Sequence, residues 1–209
     1  MATITKPDAV AMDSQKLEQV NQLFQRQIDE GLHPGAGLAV YRYGNLVLDI
    51  YGGIANTEPV TSDTMFVLMS STKPLTASCI YMLKERGQID WDDLVSKHWP
   101  KFAQNGKETV TIRHILTHRG GFPQTPESLP WTDWADWSKV THAMEQAPTI
   151  YPPGKTLAYH PINYGWVLAE IVRRVDGRTF DRFIAEELAA PLGIENTYVG
   201  LPAGLESRI

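Results

Sequence analysis

Strand-like alternation is concentrated in one short region of this chain, and little after it repeats the pattern. Ala36 to Tyr43 and Leu46 to Tyr51 read as two strands either side of a Gly44-Asn45 turn, opened by Pro34-Gly35 and ended by Gly52-Gly53. Two strands make a marginal sheet by themselves. The hairpin needs further strands, and the later sequence offers few. Ile194 to Gly200 is the one other stretch that reads as extended.

Helical patterns fill most of the remainder. Met1 to Met12 reads as a loose arm. Asp13 or Ser14 then caps a helix with Leu17, Val20, Leu23, Phe24 and Ile28 on one face and Gly31 as its stop. From Ser71 the pattern turns helical again through Leu75, Cys79, Ile80, Met82 and Leu83 to Gly87, with Pro74 in the first turn, where a missing N–H costs little. Asp90 is expected to cap a short helix through Leu94 to His98. Further helices are expected at Arg113 to His118, Trp134 to Gln146, Ile162 to Val175 (stopped by Asp176-Gly177) and Phe180 to Leu188. Arg173-Arg174 and Glu186-Glu187 read as solvated helix faces.

Composition excludes several classes. The 209 residues carry 19 basic and 24 acidic side chains, a net charge of −5, with no basic tract, so nucleic acid and anionic membrane are poor partners. No apolar run approaches the ~18 residues of a membrane span, and Met1 to Ser14 has no apolar core of signal-peptide type. With the single cysteine, Cys79, a cytoplasmic protein is the expectation.

Chemistry enters at Phe66-Val67-Leu68-Met69-Ser70-Ser71-Thr72-Lys73-Pro74. A serine hydroxyl is a weak nucleophile until a neighbouring base takes its proton, and a lysine one helical turn on, about 4.5 Å along the axis, is placed to do so. Ser-x-x-Lys alone turns up by chance about once in a chain of this length, so other segments must support it. Competing motifs fail. Gly154-Lys155-Thr156 lacks the glycine that a phosphate loop needs at Thr149, and no Gly-x-Ser-x-Gly elbow occurs. His114 and His118 have metal-ligand spacing but no zinc-protease glutamate, and read as structural groups that hold the following loop. Cys79 reads as inert core. Trp131, Trp134 and Trp137 read either as a helix start packing aromatic rings on the core or as the aromatic wall of a pocket.

Four segments line up in order: Ser70-Ser71-Thr72-Lys73-Pro74; Ile115-Leu116-Thr117-His118-Arg119-Gly120-Gly121-Phe122; Pro153-Gly154 with Tyr159-His160-Pro161-Ile162-Asn163-Tyr164-Gly165; and Pro191-Leu192-Gly193-Ile194 leading to Thr197. In this register the chain resembles the serine β-lactamase and penicillin-binding-protein superfamily, in its class C β-lactamase-related esterase branch. The resemblance implies an α+β fold of β-lactamase/transpeptidase-like type, an α/β domain plus a helical domain with the site in the cleft between them. Residues 1–69 would supply the helix and hairpin of the α/β domain. Residues 70–209 would form the helical domain, with the C-terminal half of the α/β domain absent. By position, the resemblance implies Ser70 as nucleophile, Lys73 as base or proton relay and Tyr159 as second relay group, with neither metal nor organic cofactor.

Two departures shape the expected activity. Pro161 stands where the family's tyrosine motif has the asparagine that contacts a lactam or peptide amide, which favours an esterase; His160 is the candidate to donate a hydrogen bond to the substrate instead. The family's later Lys-Thr-Gly or His-x-Gly strand does not occur here, so the chain resembles an N-terminal half. The expected function is hydrolysis of small carboxylic esters through a covalent acyl-enzyme. A β-lactamase or D-alanyl peptidase, and a non-catalytic binding or assembly module or inactive fragment, are the alternatives. The expected partners are a small-molecule ester and, through exposed strand edges, a C-terminal half-chain or a second copy.

Overall fold

The computed structural model describes residues 3–209 and divides into two compact units. The first comprises the chain through Val67 together with Leu201–Ile209; the second is Leu68–Gly200.

In the first unit, α1 (Ser14–Asp29) starts where the Asp13 carboxylate accepts the amides of Gln15 and Lys16 at 2.9 and 3.1 Å. It lies against β2 (Asn45–Ala55), where a Cβ on Gly52 would sit 3.1 Å from the Phe24 ring. β1 (Gly35–Arg42) pairs antiparallel with β2, with Leu38 opposite Ile50 and a bulge at Val40/Tyr41. Arg42 pairs with Asn45, so the tight turn is Tyr43-Gly44, one residue earlier than the expected Gly44-Asn45. Both turn residues have positive φ, 49° and 76°, as a type I′ hairpin requires.

β2 also runs past Gly52-Gly53 instead of ending there. At Gly53 (φ 81°) a Cβ would lie 2.2 Å from the Pro34 carbonyl, so glycine is needed for close approach of the strands. A third strand, β3 (Glu58–Pro59), pairs with Ile54 and Ala55, giving the sheet order β1-β2-β3. The expected arm is tied down in part: residues 1 and 2 lie outside the described residues, but Thr5 N donates to Leu46 O at 2.7 Å and Pro7–Val10 forms a 3-10 turn. The C-terminal tail belongs to this unit as well, with Met65 N donating to Arg208 O at 2.7 Å. Of this unit's described large apolar side chains only Leu46, Val47 and Val60 are buried.

The second unit contains α2 (Lys73–Glu85), α3 (Val95–His98), α4 (Ile112–Leu116), α5 (Trp137–Gln146), α6 (Asn163–Asp176) and α7 (Phe180–Ile184). Its core joins Cys79, Ile80 and Leu83 of α2 to Val167, Leu168, Ile171 and Val172 of α6, with Trp99, Phe102, Phe122 and Phe183 filling the space around them. Each such side chain contributes about 1.5–3 kcal/mol on burial. Cys79 is fully buried in this core, and burial pushes its thiol up to about 12.

Several expectations are corrected here. Asp90 caps no helix: α3 begins at Val95, after Leu94, and the Asp90 carboxylate pairs with Lys84. The helix expected through Leu188 leaves α-geometry after Ile184 for one π turn, Ala185–Ala189. Ile194 to Gly200 forms no strand. Arg173 and Arg174 do not simply face solvent, because both guanidinium groups donate to the fully buried Glu170 carboxylate at 2.6–2.8 Å. Glu186 and Glu187 pair with Arg178 at 2.7 and 2.6 Å. Lys107 is buried with no carboxylate partner among the described residues; its Nζ donates to the carbonyls of Gln104, Glu145 and Ala147, tying down the C-terminal end of α5, and burial lowers it to about 8. No helix among the described residues is long and apolar enough to cross a membrane.

Candidate active site

The chain enters α2 through a 3-10 turn, Met69–Thr72, so Ser70 and Lys73 are not on one continuous α-helix. Met69, immediately before Ser70, has φ 48°, a left-handed conformation that a side-chain-bearing residue adopts at a cost. Lys73 is the first residue of α2 and Pro74 the second, where no amide hydrogen is required. The turn delivers the contact that the spacing predicts: Lys73 Nζ donates to Ser70 Oγ at 3.1 Å.

Tyr159 completes the group from a distant segment, its hydroxyl donating to Ser70 Oγ at 2.5 Å. Lys73 Nζ also lies 4.7 Å from the centre of the Tyr159 ring. Hydrogen bonding with Lys73, and then with Ser70, holds the Tyr159 phenol below its ordinary value, and burial opposes the shift. Lys73 Nζ makes one more hydrogen bond, to the Pro161 carbonyl at 2.8 Å. Position 161 therefore serves the site through its backbone oxygen, and its side chain carries no polar group. Ser70, Lys73 and Tyr159 all belong to the second unit, and Tyr159 is 49% exposed.

His160 is brought to the neighbourhood but not to the site. Its side chain is 1% exposed, packed edge-on against Phe122 with ring centres 5.4 Å apart. Its Nδ1 is 2.6 Å from the Ala158 carbonyl, and Nε2 is buried with no hydrogen-bond partner among the described residues. A ring so enclosed presents no donor to a substrate, contrary to the expected contact.

His118 lies closer to the chemistry than its sequence suggests. Its carbonyl accepts the Ala158 amide at 3.0 Å and its Nδ1 accepts the His160 amide at 3.2 Å. Its ring centre is 4.9 Å from that of Tyr159 and 5.1 Å from that of Tyr164. Burial, and then the nearby Lys73, hold it below the usual histidine value. The sequence marked it as a structural group that holds the following loop and as a member of the second matching segment, with no sign of a contact to Tyr159. His114 instead closes a capping box with Thr111 at the start of α4.

The tryptophans divide. Trp137 Nε1 donates to Glu170 at 2.7 Å and Trp134 packs edge-on against Trp166, while Trp131 is 78% exposed. A surface groove of about 560 Å³ bordered by Lys101, His142, Glu145 and Arg174 contains none of the site residues. Among the described residues no group of three or more His, Cys, Asp or Glu side chains could hold a metal ion.

The chain is similar to known proteins over most of its length. The sequence model of the Beta-lactamase family matches residues 20–208. Esterase/beta-lactamase LipL of Mycobacterium tuberculosis is 34% identical over 175 residues, which cover 80% of this chain and 39% of LipL. A penicillin-binding protein homologue from Caulobacter crescentus superposes with a TM-score of 0.85 at 33% identity, over 99% of this chain and 54% of that one. A family VIII carboxylesterase gives 0.84 at 31% identity, over 91% of this chain and 53% of that one. The chain thus spans about half the length of the solved relatives.

Proposed function

This chain belongs to the Beta-lactamase family, with a β-lactamase/transpeptidase-like α+β fold, and we propose that it is an acyl-serine hydrolase acting on small carboxylic esters. The observation that carries the reading is Ser70 Oγ within hydrogen-bonding distance of both Lys73 Nζ (3.1 Å) and the Tyr159 hydroxyl (2.5 Å).

Tyr159 is the base in this mechanism. Its phenol is lowered by Lys73, so the phenolate forms more readily than in a free tyrosine. Ser70 Oγ attacks the ester carbonyl carbon as its proton passes to Tyr159. The tetrahedral intermediate collapses, and the alcohol leaves with the proton from Tyr159. Water then attacks the acyl-serine, giving a proton to Tyr159. The carboxylic acid departs and Ser70 recovers its proton. Lys73 holds Ser70 and the phenolate together. Ser70 also stands just ahead of α2, at the end where partial positive charge favours a developing oxyanion.

Ester rather than lactam is supported by Pro161, whose side chain has nothing to offer an amide, and by the likeness to a carboxylesterase. A lactamase or peptidase activity is the second reading, favoured by the name of LipL, which joins esterase to beta-lactamase, and by the penicillin-binding protein homologue. Turnover of a short-chain nitrophenyl ester and of a chromogenic cephalosporin, each compared with Ser70→Ala, separates the readings. Ester turnover that falls at least ~10³-fold in Ser70→Ala is expected. Serine-dependent turnover of the cephalosporin alone would replace esterase with lactamase. No Ser70-dependent turnover of either would leave a binding or assembly module.

A further inference from the structure

We propose that His118 is the positioning residue for Tyr159, and that the site is assembled only while the His118 ring is neutral. The proposal rests on the reading of Tyr159 as the base.

Tyr159 lies in a segment without regular secondary structure, so no helix or sheet ladder fixes its backbone. His118 takes that role. The amides on either side of Tyr159, those of Ala158 and His160, both donate to His118: the first to its carbonyl at 3.0 Å, the second to ring Nδ1 at 3.2 Å. The ring also packs against the Tyr159 ring it brackets. One residue thus clamps the tyrosine from both flanks and one face. The left-handed backbone of His118 (φ 58°) lets its carbonyl and its ring serve the same strand of chain.

Nδ1 accepts a hydrogen bond only without a proton, which requires the Nε2–H tautomer of a neutral ring. Protonation would set N–H against N–H at His160 and place a second cation beside Lys73. The titratable groups facing the ring are Lys73 from α2, Tyr159 and His160 from the bracketed segment, and Tyr164 from α6. None is a carboxylate that would stabilise an imidazolium. Burial and Lys73 both keep His118 below the ordinary histidine value of about 6.5.

His118→Asn tests this, because asparagine tolerates the left-handed backbone and keeps an acceptor that does not titrate. In the wild type, log kcat/KM for the ester falls with slope one below the Tyr159 ionisation and steepens to slope two below the His118 ionisation. His118→Asn should keep slope one throughout, whereas His118→Ala should lose about tenfold to 100-fold at every pH. A second readout needs no turnover: the phenolate absorbance of wild type minus Tyr159→Phe. It should shift to higher pH in a His118→Ala background and stay in place in His118→Asn.

Persistent steepening in His118→Asn, or a Tyr159 titration unmoved in His118→Ala, overturns the proposal. If His118→Ala does not fold, the slope in His118→Asn decides alone. A titration that moves as expected in a protein without Ser70-dependent turnover would leave the clamp standing and remove the hydrolase reading. Normal turnover with an unmoved titration would do the reverse.

Discussion

Lys73 connects the parts of the site, since one ammonium reaches the Ser70 hydroxyl, the Pro161 carbonyl and the face of the Tyr159 ring. Replacing it with methionine removes the donor that lowers Tyr159, whose ionisation should then rise toward the ordinary tyrosine value of about 10. In the proposed mechanism the phenolate is the active form, so kcat/KM should rise as pH passes upward through that ionisation. In Lys73→Met the rise moves to higher pH, and the rate near neutrality falls by about 10²–10⁴-fold; a pH-rate series on the ester checks both. The meeting of Ser70, Lys73 and Tyr159 was legible because residue type, spacing and order place them together. The His160 expectation failed for a directional reason. From Leu157 to His160 the chain alternates between outward and inward side chains, so an exposed Tyr159 turns its neighbour into the core. His118 was legible only as structural, because its contact with the site runs through main-chain amides that a side-chain motif does not record.

At the level of elements, α6 and the start of α5 are joined by one buried carboxylate. Burial raises the Glu170 carboxyl, but donation by Arg173, Trp137 and Arg174 outweighs it and leaves it below the ordinary value. Glu170→Gln should cost about 1–3 kcal/mol at neutral pH, measured by urea unfolding. A carboxyl lowered in the fold gives stability that is present above its unfolded value of about 4.3 and is lost as pH falls through the folded value. The gap between wild type and Glu170→Gln should therefore close in acid. Helices were readable where apolar spacing was long, as in α1, α2 and α6. Shorter features were not: Tyr43 carries no turn signal, and it occupies the left-handed position because the strand register places it there. β3 is two residues long and includes a proline, too little for any alternation to show.

On the scale of the whole molecule, the two units differ in how much core each holds. The second encloses α2 and α6 among a continuous set of buried side chains, whereas the first buries Leu46, Val47 and Val60 and leaves Val20, Leu23, Tyr41, Ile54 and Phe66 exposed. Hydrogen exchange should show β1 and β2 amides opening well before those of α2 and α6, since local opening becomes easier where few apolar contacts must break. Equal protection in both would contradict that ordering. The fold class was legible from the sequence only through the family resemblance, because a hairpin and a run of helices do not specify a sheet by themselves. The single cysteine has a practical corollary. Cys79 is enclosed, and its thiol is held in the unreactive protonated form. Thiol reagents therefore leave the native chain alone, so dyes or spin labels can be attached at engineered surface cysteines without first removing the natural one. Any slow modification of Cys79 itself is a clock for the opening of the second unit.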